Sequence, residues 1–223
     1  MKITFISDTH TKHRNCELDL PGGDLLLHAG DFMNSGYHEI EATEFFDWFD
    51  VLDNYDTKVF IAGNHDRLME NGPDRMEGIL TGYKNIDYLE DSKIVVNDIN
   101  IYGSPWQPAF YDWAFNLPRN GVELQEKWAM IPSDVDILIC HTMPFGHCDG
   151  NGSSSVGCEL LRVRTDEIRP KIFIGGHIHS GYGYKFYEGT HFINAAVLNN
   201  NYKYTNKPLT VEWDPETNEL EFI

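Results

Sequence analysis

The stretch Asp24–Asp31, DLLLHAGD, decides how this chain is read. Three consecutive leucines leave the run no polar face, so it reads as a strand covered on both sides. It stops at an Ala-Gly turn and hands an aspartate to the loop that follows. Four other apolar runs are built the same way. Ile3–Ser7 is followed by Asp8 and His10, and Lys58–Ala62 by Asn64, His65 and Asp66. Asp136–Cys140 is followed by His141, and Lys171–Ile174 by His177 and His179. Five strands thus deliver Asp, Asn or His at their carboxyl ends. That edge of an open α/β sheet is where binding sites form.

Further strands are expected at Ile94–Val96, Ile99–Tyr102, His191–Ala195 and Leu209–Trp213. Helical periodicity predicts helices near Glu39–Tyr55, Asp74–Leu80, Gly121–Met130 and Val156–Ile168. In the first of these, Phe45, Phe46, Trp48, Phe49 and Leu52 form a stripe that suits packing on a sheet. Strand–helix alternation followed by hairpin-like strands predicts an α/β fold. Two sheets would pack as a β-sandwich flanked by helices, in four layers αββα. With 223 residues and no internal repeat, the chain is expected to form a single domain over 1–223. The Gly-Ser-rich segment Gly146–Gly157 reads as a mobile loop.

The formal net charge is −18, from 35 acidic and 17 basic residues. Tight binding to a nucleic-acid polymer depends on neutralising phosphates with Lys and Arg. Such a polymer is therefore a disfavoured partner, although bound cations would reverse the field locally. Cys16, Cys140, Cys148 and Cys158 contain no CxxC pair and are expected to be free thiols in a reducing cytoplasm. No apolar h-region follows Met1, and no apolar run approaches the roughly 20 residues that span a bilayer. Neither export nor membrane insertion is expected. Nothing in the sequence specifies an oligomeric state.

Taken singly, each Asp could be a turn residue and each His a hydrogen-bonded core residue. Converging on one edge, unpaired carboxylates and imidazoles would be costly without a cation. Oxygen and imidazole donors suit Mn, Fe, Zn and similar divalent ions. A shared carboxylate can hold two such ions about 3.5–4 Å apart.

The ordered blocks D-x-H (Asp8, His10), G-D (Asp31), G-N-H-D (Asn64–Asp66), a lone His141 after a strand, and G-H-x-H (His177, His179) resemble the calcineurin-like metallophosphoesterases. SDTH, GDLLLHAGDF, IAGNH, IYGSPWQP, FNLPR, DILICHTMP, VGCELL, RPKIFIGG and HSGYG are similar to the small metallophosphoesterase-domain (MPPED-type) phosphodiesterases. The insertion GHCDGNGSSS departs from that pattern. The resemblance implies two divalent metal ions, manganese foremost, with Fe, Zn, Ni, Co or Mg acceptable. It implies that Asp8, His10 and His179 hold one ion and Asn64, His141 and His177 the other, with Asp31 between them. Asn64 and His65 would contact substrate. His65 would be the catalytic acid, oriented by Asp66. Some vertebrate members carry Gly where His177 stands and are weakly active, so a complete second site is expected here.

The implied reaction is hydrolysis of a small phosphoester, foremost a phosphodiester in a small or cyclic nucleotide. A metal-bound hydroxide would attack and His65 would protonate the leaving group. The alternatives are phosphomonoester or phosphoprotein hydrolysis, or a non-catalytic scaffold of the same fold. Of the remaining histidines, His28 is expected in the core or behind the site, and His13, His38 and His191 at surface or turn positions. His147 is a weak candidate for touching substrate. The aromatic segment 104–120 reads either as a wall for a nucleobase or as an apolar cluster under a loop, with Trp113 and Phe115 assigned to the cluster.

Overall fold

The structure is a computed structural model that describes residues 1–150 and 154–223. The leucine run forms strand β2 (Gly23–His28), between β1 (Lys2–Ile6) and β3 (Tyr55–Phe60) and parallel to both. β4 (Asp87–Tyr88) extends this sheet beside β3. The second sheet begins with the hairpin β5 (Ser92–Val96) and β6 (Ile99–Ser104). A short pair, β7 (Gln107–Pro108) and β8 (Asn116–Leu117), stands apart. β9 (Ile137–Cys140), β10 (Ile172–Gly175), β11 (Gly183–Tyr187) and β12 (Thr190–Asn194) complete the second sheet in the order β11-β12-β10-β9-β6-β5. β13 (Leu209–Trp213) and β14 (Leu220–Phe222) return to the first, which runs β14-β13-β1-β2-β3-β4. The helices are α1 (Glu39–Asp50), α2 (Arg67–Asn71), α3 (Pro73–Leu80), α4 (Val122–Ala129) and α5 (Glu159–Ile168).

Three buried clusters define four layers. Between the sheets, Ile3, Phe5, Leu25, Leu27 and Val59 meet Ile101, Ile137, Ile139, Ile172 and Ile174. On the outer face of the first sheet, Leu26 and Phe60 pack with Phe45, Phe46 and Phe49 of α1 and Met76 of α3. On the outer face of the second, Leu138 and Phe173 pack with Leu124 and Trp128 of α4 and Leu161 of α5. Neighbouring leucines of β2 point to opposite sides, as a two-residue period requires. All three are fully buried. Burial of each such side chain contributes about 1.5–3 kcal/mol. This is the αββα sandwich that the sequence predicts.

Element ends differ from expectation where the backbone had a competing partner. α1 stops at Asp50 rather than Tyr55, because Tyr55 opens β3 and pairs with Gly23. α5 begins at Glu159, not Val156. Cys158 caps it, accepting the Leu161 N–H on its sulfur, and donates its own N–H to Met143. The short strands β4, β7, β8 and β14, the edge strand β11, and the five-residue α2 lack a periodic signal that would predict them. The mobile-loop expectation for Gly146–Gly157 falls partly on residues 151–153, outside the described residues. Before and after them the chain is held: the buried Asp149 carboxylate accepts the N–H groups of Gly146 and Gly157, both at 2.9 Å. Among the described residues no helix is long and apolar enough to cross a membrane.

Candidate metal centre

Strands β1, β2 and β3 are parallel, as are β9 and β10, so each group delivers its loops to one edge of its sheet. The two edges adjoin. Ser7 bridges to Ala196, and His141 reaches the Ala29 carbonyl of the other sheet at 2.8 Å. The first loops interlock through Asp8 N–H to Gly30 O (2.9 Å) and His10 N–H to Asp31 O (3.0 Å). Four candidate ligands take left-handed backbone angles: Asp8 (φ 55°), His10 (40°), Asp31 (59°) and His177 (62°). Such conformations cost about 1–3 kcal/mol each outside glycine and gather at functional sites.

The loops bring the expected donors together. Ligand-capable atoms of Asp8, His10 and His179 lie within 4.8 Å of one another, as do those of Asp31, His141 and His177. A third group, His10, Asp31 and His65, joins the two. Asp31 sits between them, its Oδ2 3.7 Å from His10 Nε2 and 3.3 Å from His141 Nε2. Its Oδ1 is fixed by the His65 N–H at 2.7 Å. Asn64 Oδ1 lies 3.0 Å from His141 Nε2.

Three imidazoles share one arrangement. Nδ1 of His10, His141 and His179 faces the backbone carbonyl of Met33, Ala29 and Asn199 respectively, at 3.1, 2.8 and 3.0 Å. Donation from Nδ1–H to a carbonyl leaves the Nε2 lone pair for the cluster, which is how metal-ligating histidines are commonly oriented. Among the described residues, His10 Nε2 is buried with no hydrogen-bond partner. An orphaned buried nitrogen beside two buried carboxylates is what a divalent cation would satisfy. The donors present therefore fit a dinuclear divalent centre.

Electrostatics in the metal-free chain agree. Burial pushes the Asp8 carboxyl up, but its hydrogen bond to His179 and the His179 charge prevail and hold it well below the usual range. Burial pushes His141 down, yet the Asp31 charge raises it to about 9. Burial likewise opposes, and the Asp8 hydrogen bond prevails, in taking His179 to about 9. Burial lowers His10 to about 4 and His177 to about 3. Protonated His141 and His179 thus compensate the two carboxylates.

His65 and Asp66 are both at the site, but Asp66 does not orient His65. The His65 Nδ1 instead meets the Asn34 carbonyl at 2.5 Å. Asp66 is fully buried and accepts the N–H groups of Asp31, Met33 and Gly63 at 2.8, 2.8 and 2.7 Å. It ties the Asp31 loop to the Asn64 loop, a role that sequence proximity to His65 concealed.

His28 lies where expected, behind the site. It contacts Thr9 Oγ1 at 3.0 Å and accepts the Gly30 N–H at 3.2 Å. His13 and His191 are not surface residues. His13 packs 4.9 Å from Trp48, and His191 is fixed by Tyr184 and the Asn218 carbonyl. His38 is exposed as expected. His147 is buried and stacked 3.9 Å over Phe192. Phe115 joins the core, but Trp113 does not: it is half-buried and stacks on His65 at 3.9 Å. Tyr202, missed in the sequence, stands 4.9 Å from His10 and 5.4 Å from His179. It arrives from a loop with no motif of its own.

A two-sheet αββα sandwich with this donor cluster where the strand edges adjoin defines a metallophosphoesterase. The sequence model of the calcineurin-like phosphoesterase family matches residues 1–181, and this chain belongs to that family as a metal-dependent phosphoesterase. It is 38% identical to metallophosphoesterase domain-containing protein 1 of Homo sapiens and to that of Mus musculus. Each match covers 95% of this chain and 70% of the relative. Among solved structures, TT1561 of Thermus thermophilus superposes with a TM-score of 0.68 at 14% identity, covering 99% of this chain and 97% of its own. That likeness is one of fold.

Proposed function

We propose that this protein is a phosphodiesterase acting on small or cyclic nucleotides. The observation that carries the reading is a pair of cavities that both border the donor cluster. One, of about 480 Å³, is lined by residues including Arg119, Thr142, His177, His179 and Ser180. The other, of about 560 Å³, is lined by His65, Arg67, Tyr111, Asp112 and Trp113. Phe110 and Tyr202 line both. An acyclic phosphodiester carries two organic groups on phosphorus and a monoester carries one, while a cyclic nucleotide closes both ester bonds on one nucleoside. Two cavities meeting at the cluster suit the diester, and their aromatic walls suit a base.

In this reading Asp8, His10 and His179 would hold one divalent ion and Asn64, His141 and His177 the other, with Asp31 lying between the two sets. Manganese is the first candidate. When bound, such a pair supplies an activated water at neutral pH and neutralises charge on the phosphoryl oxygens. Asn64 and His65 bind the phosphoryl group. His65 donates its Nε2 proton to the leaving oxygen as the P–O bond breaks, while Nδ1 stays on the Asn34 carbonyl. Asp66 acts by holding the loops in place. The whole chain, 1–223, serves as one functional unit, and its unpaired cysteines suit the reducing cytoplasm.

Initial rates of the manganese-loaded protein on bis-p-nitrophenyl phosphate, 2′,3′- and 3′,5′-cyclic nucleotides and p-nitrophenyl phosphate test this. Diester turnover is expected to exceed monoester turnover. The reverse ratio would make it a monoesterase, and no metal-dependent turnover of any diester would sink the proposal. His65→Ala should retain metal and lose about 10²–10⁴-fold in kcat, the usual contribution of a positioned acid.

A further inference from the structure

We propose that Trp113, pinned by Arg67, is the residue that positions the His65 imidazole for proton donation. The inference rests on the reading of His65 as the acid. Among the described residues, His65 is held along its edge by the Asn34 carbonyl alone, since Asp66 is engaged elsewhere. A ring on one such bond can still tilt. Trp113 covers its face at 3.9 Å and 25°, and His10 meets it edge-on at 4.5 Å and 81°. Together these contacts fix the ring plane.

Trp113 is itself held by the segment that carries His65. The Arg67 guanidinium lies 4.6 Å from the Trp113 ring centre and 5.0 Å from that of Tyr37, and it donates to the Asp112 carbonyl. On the other side of Trp113, the Ala114 N–H donates to the Asn64 carbonyl at 3.0 Å. Residues 112–114 are thus fastened at both ends to residues 64–67. A tryptophan serving only as apolar filler would sit among the core clusters. Trp113 is half-buried and lies between an imidazole and a guanidinium. Donation to a leaving oxygen needs a heavy-atom approach of about 2.6–3.2 Å, so a ring free to tilt loses the transfer geometry.

The test compares Trp113→Leu and Trp113→Phe with the wild type on two diesters. 3′,5′-cyclic AMP expels an alkoxide that needs a proton, whereas bis-p-nitrophenyl phosphate expels a phenolate that needs little help. Trp113→Leu should lose about 10-fold more kcat on the cyclic nucleotide than on the aryl diester, with metal content unchanged. Trp113→Phe should recover most of the loss. A second readout needs no turnover: in the zinc-loaded protein, the His65 ring protons should be shifted upfield by the Trp113 ring current. Leu should abolish that shift and Phe retain it. Equal losses on both diesters, or wild-type His65 protons without the shift, would overturn the proposal. If His65→Ala keeps full turnover, the acid reading and this inference fall together. If His65→Ala loses turnover while Trp113→Leu behaves as wild type, only the role of Trp113 falls.

Discussion

Two glycines show how closely the site is built. A Cβ on Gly63 would collide with Asp31 Oδ1 and stand 2.6 Å from His141 Cε1. One on Gly176 would collide with Asp8 Oδ2 and stand 2.7 Å from Ser7 Cβ. Both collisions involve candidate ligands that their own hydrogen bonds hold in place. Gly63→Ala should therefore weaken metal binding by about 10–100-fold, the usual cost of disturbing the groups that orient ligands. Elemental analysis after loading and dialysis reads it, with wild-type metal content as the contrary result. Protons belong to the same scale. At pH 7 the metal-free chain carries them on His141 and His179, both held up to about 9, but not on His10 or His177. Metal entry must expel both, so about two protons should be released per chain at neutral pH, and fewer as pH rises through 9. Calorimetry in buffers of different ionisation enthalpy counts them. The folded pKa is above the ordinary 6.5 in both cases. Their contribution to metal-free stability is thus complete below pH 6.5 and lost as pH rises through about 9.

Between elements, Asp66 is the tie. Burial and the Asp31 charge push its carboxyl well up, while N–H donors from Met33 and Gly63 oppose them. Replacing it with asparagine removes one acceptor from backbone N–H groups that have no other partner among the described residues. Asp66→Asn should lower the unfolding free energy by about 1–3 kcal/mol for each N–H left unpaired. Denaturant titration measures this, and a variant as stable as wild type would show that the loops hold without the tie. α1 illustrates the opposite situation. Its Phe45 stacks on Phe32 at 4.5 Å and on Phe49 at 5.1 Å. That face was legible because packing on a sheet demands a 3.6-residue stripe. The C-terminal end of α1 was not, because pairing with β2 claims Tyr55 for a strand.

For the whole molecule, a charge of −18 accompanies a donor cluster fit for cations. The buried carboxylates Asp8 and Asp31 and the orphaned His10 nitrogen favour a state with cations bound. A ligand at 100 times its Kd adds about 2.7 kcal/mol to folding stability. Manganese at that excess should raise the Tm of the stripped protein clearly, and EDTA should reverse it. A Tm indifferent to metal would show that the cluster is satisfied by its own protons.

The sequence by itself determined the apolar strands and the donors at their ends, because strand period and residue type are local properties. It also carried the order of motifs that marks the family. Tertiary structure alone decided which partners those donors meet. His141 is oriented by a carbonyl 112 residues away, and Asp31 lies between His10 and His141 only because two sheets adjoin. Asp66 ties loops instead of orienting His65, and Trp113 leaves the core to cover that ring, for the same reason. A side chain bonds to whatever the other loops bring within about 3 Å, and no local pattern encodes that arrival.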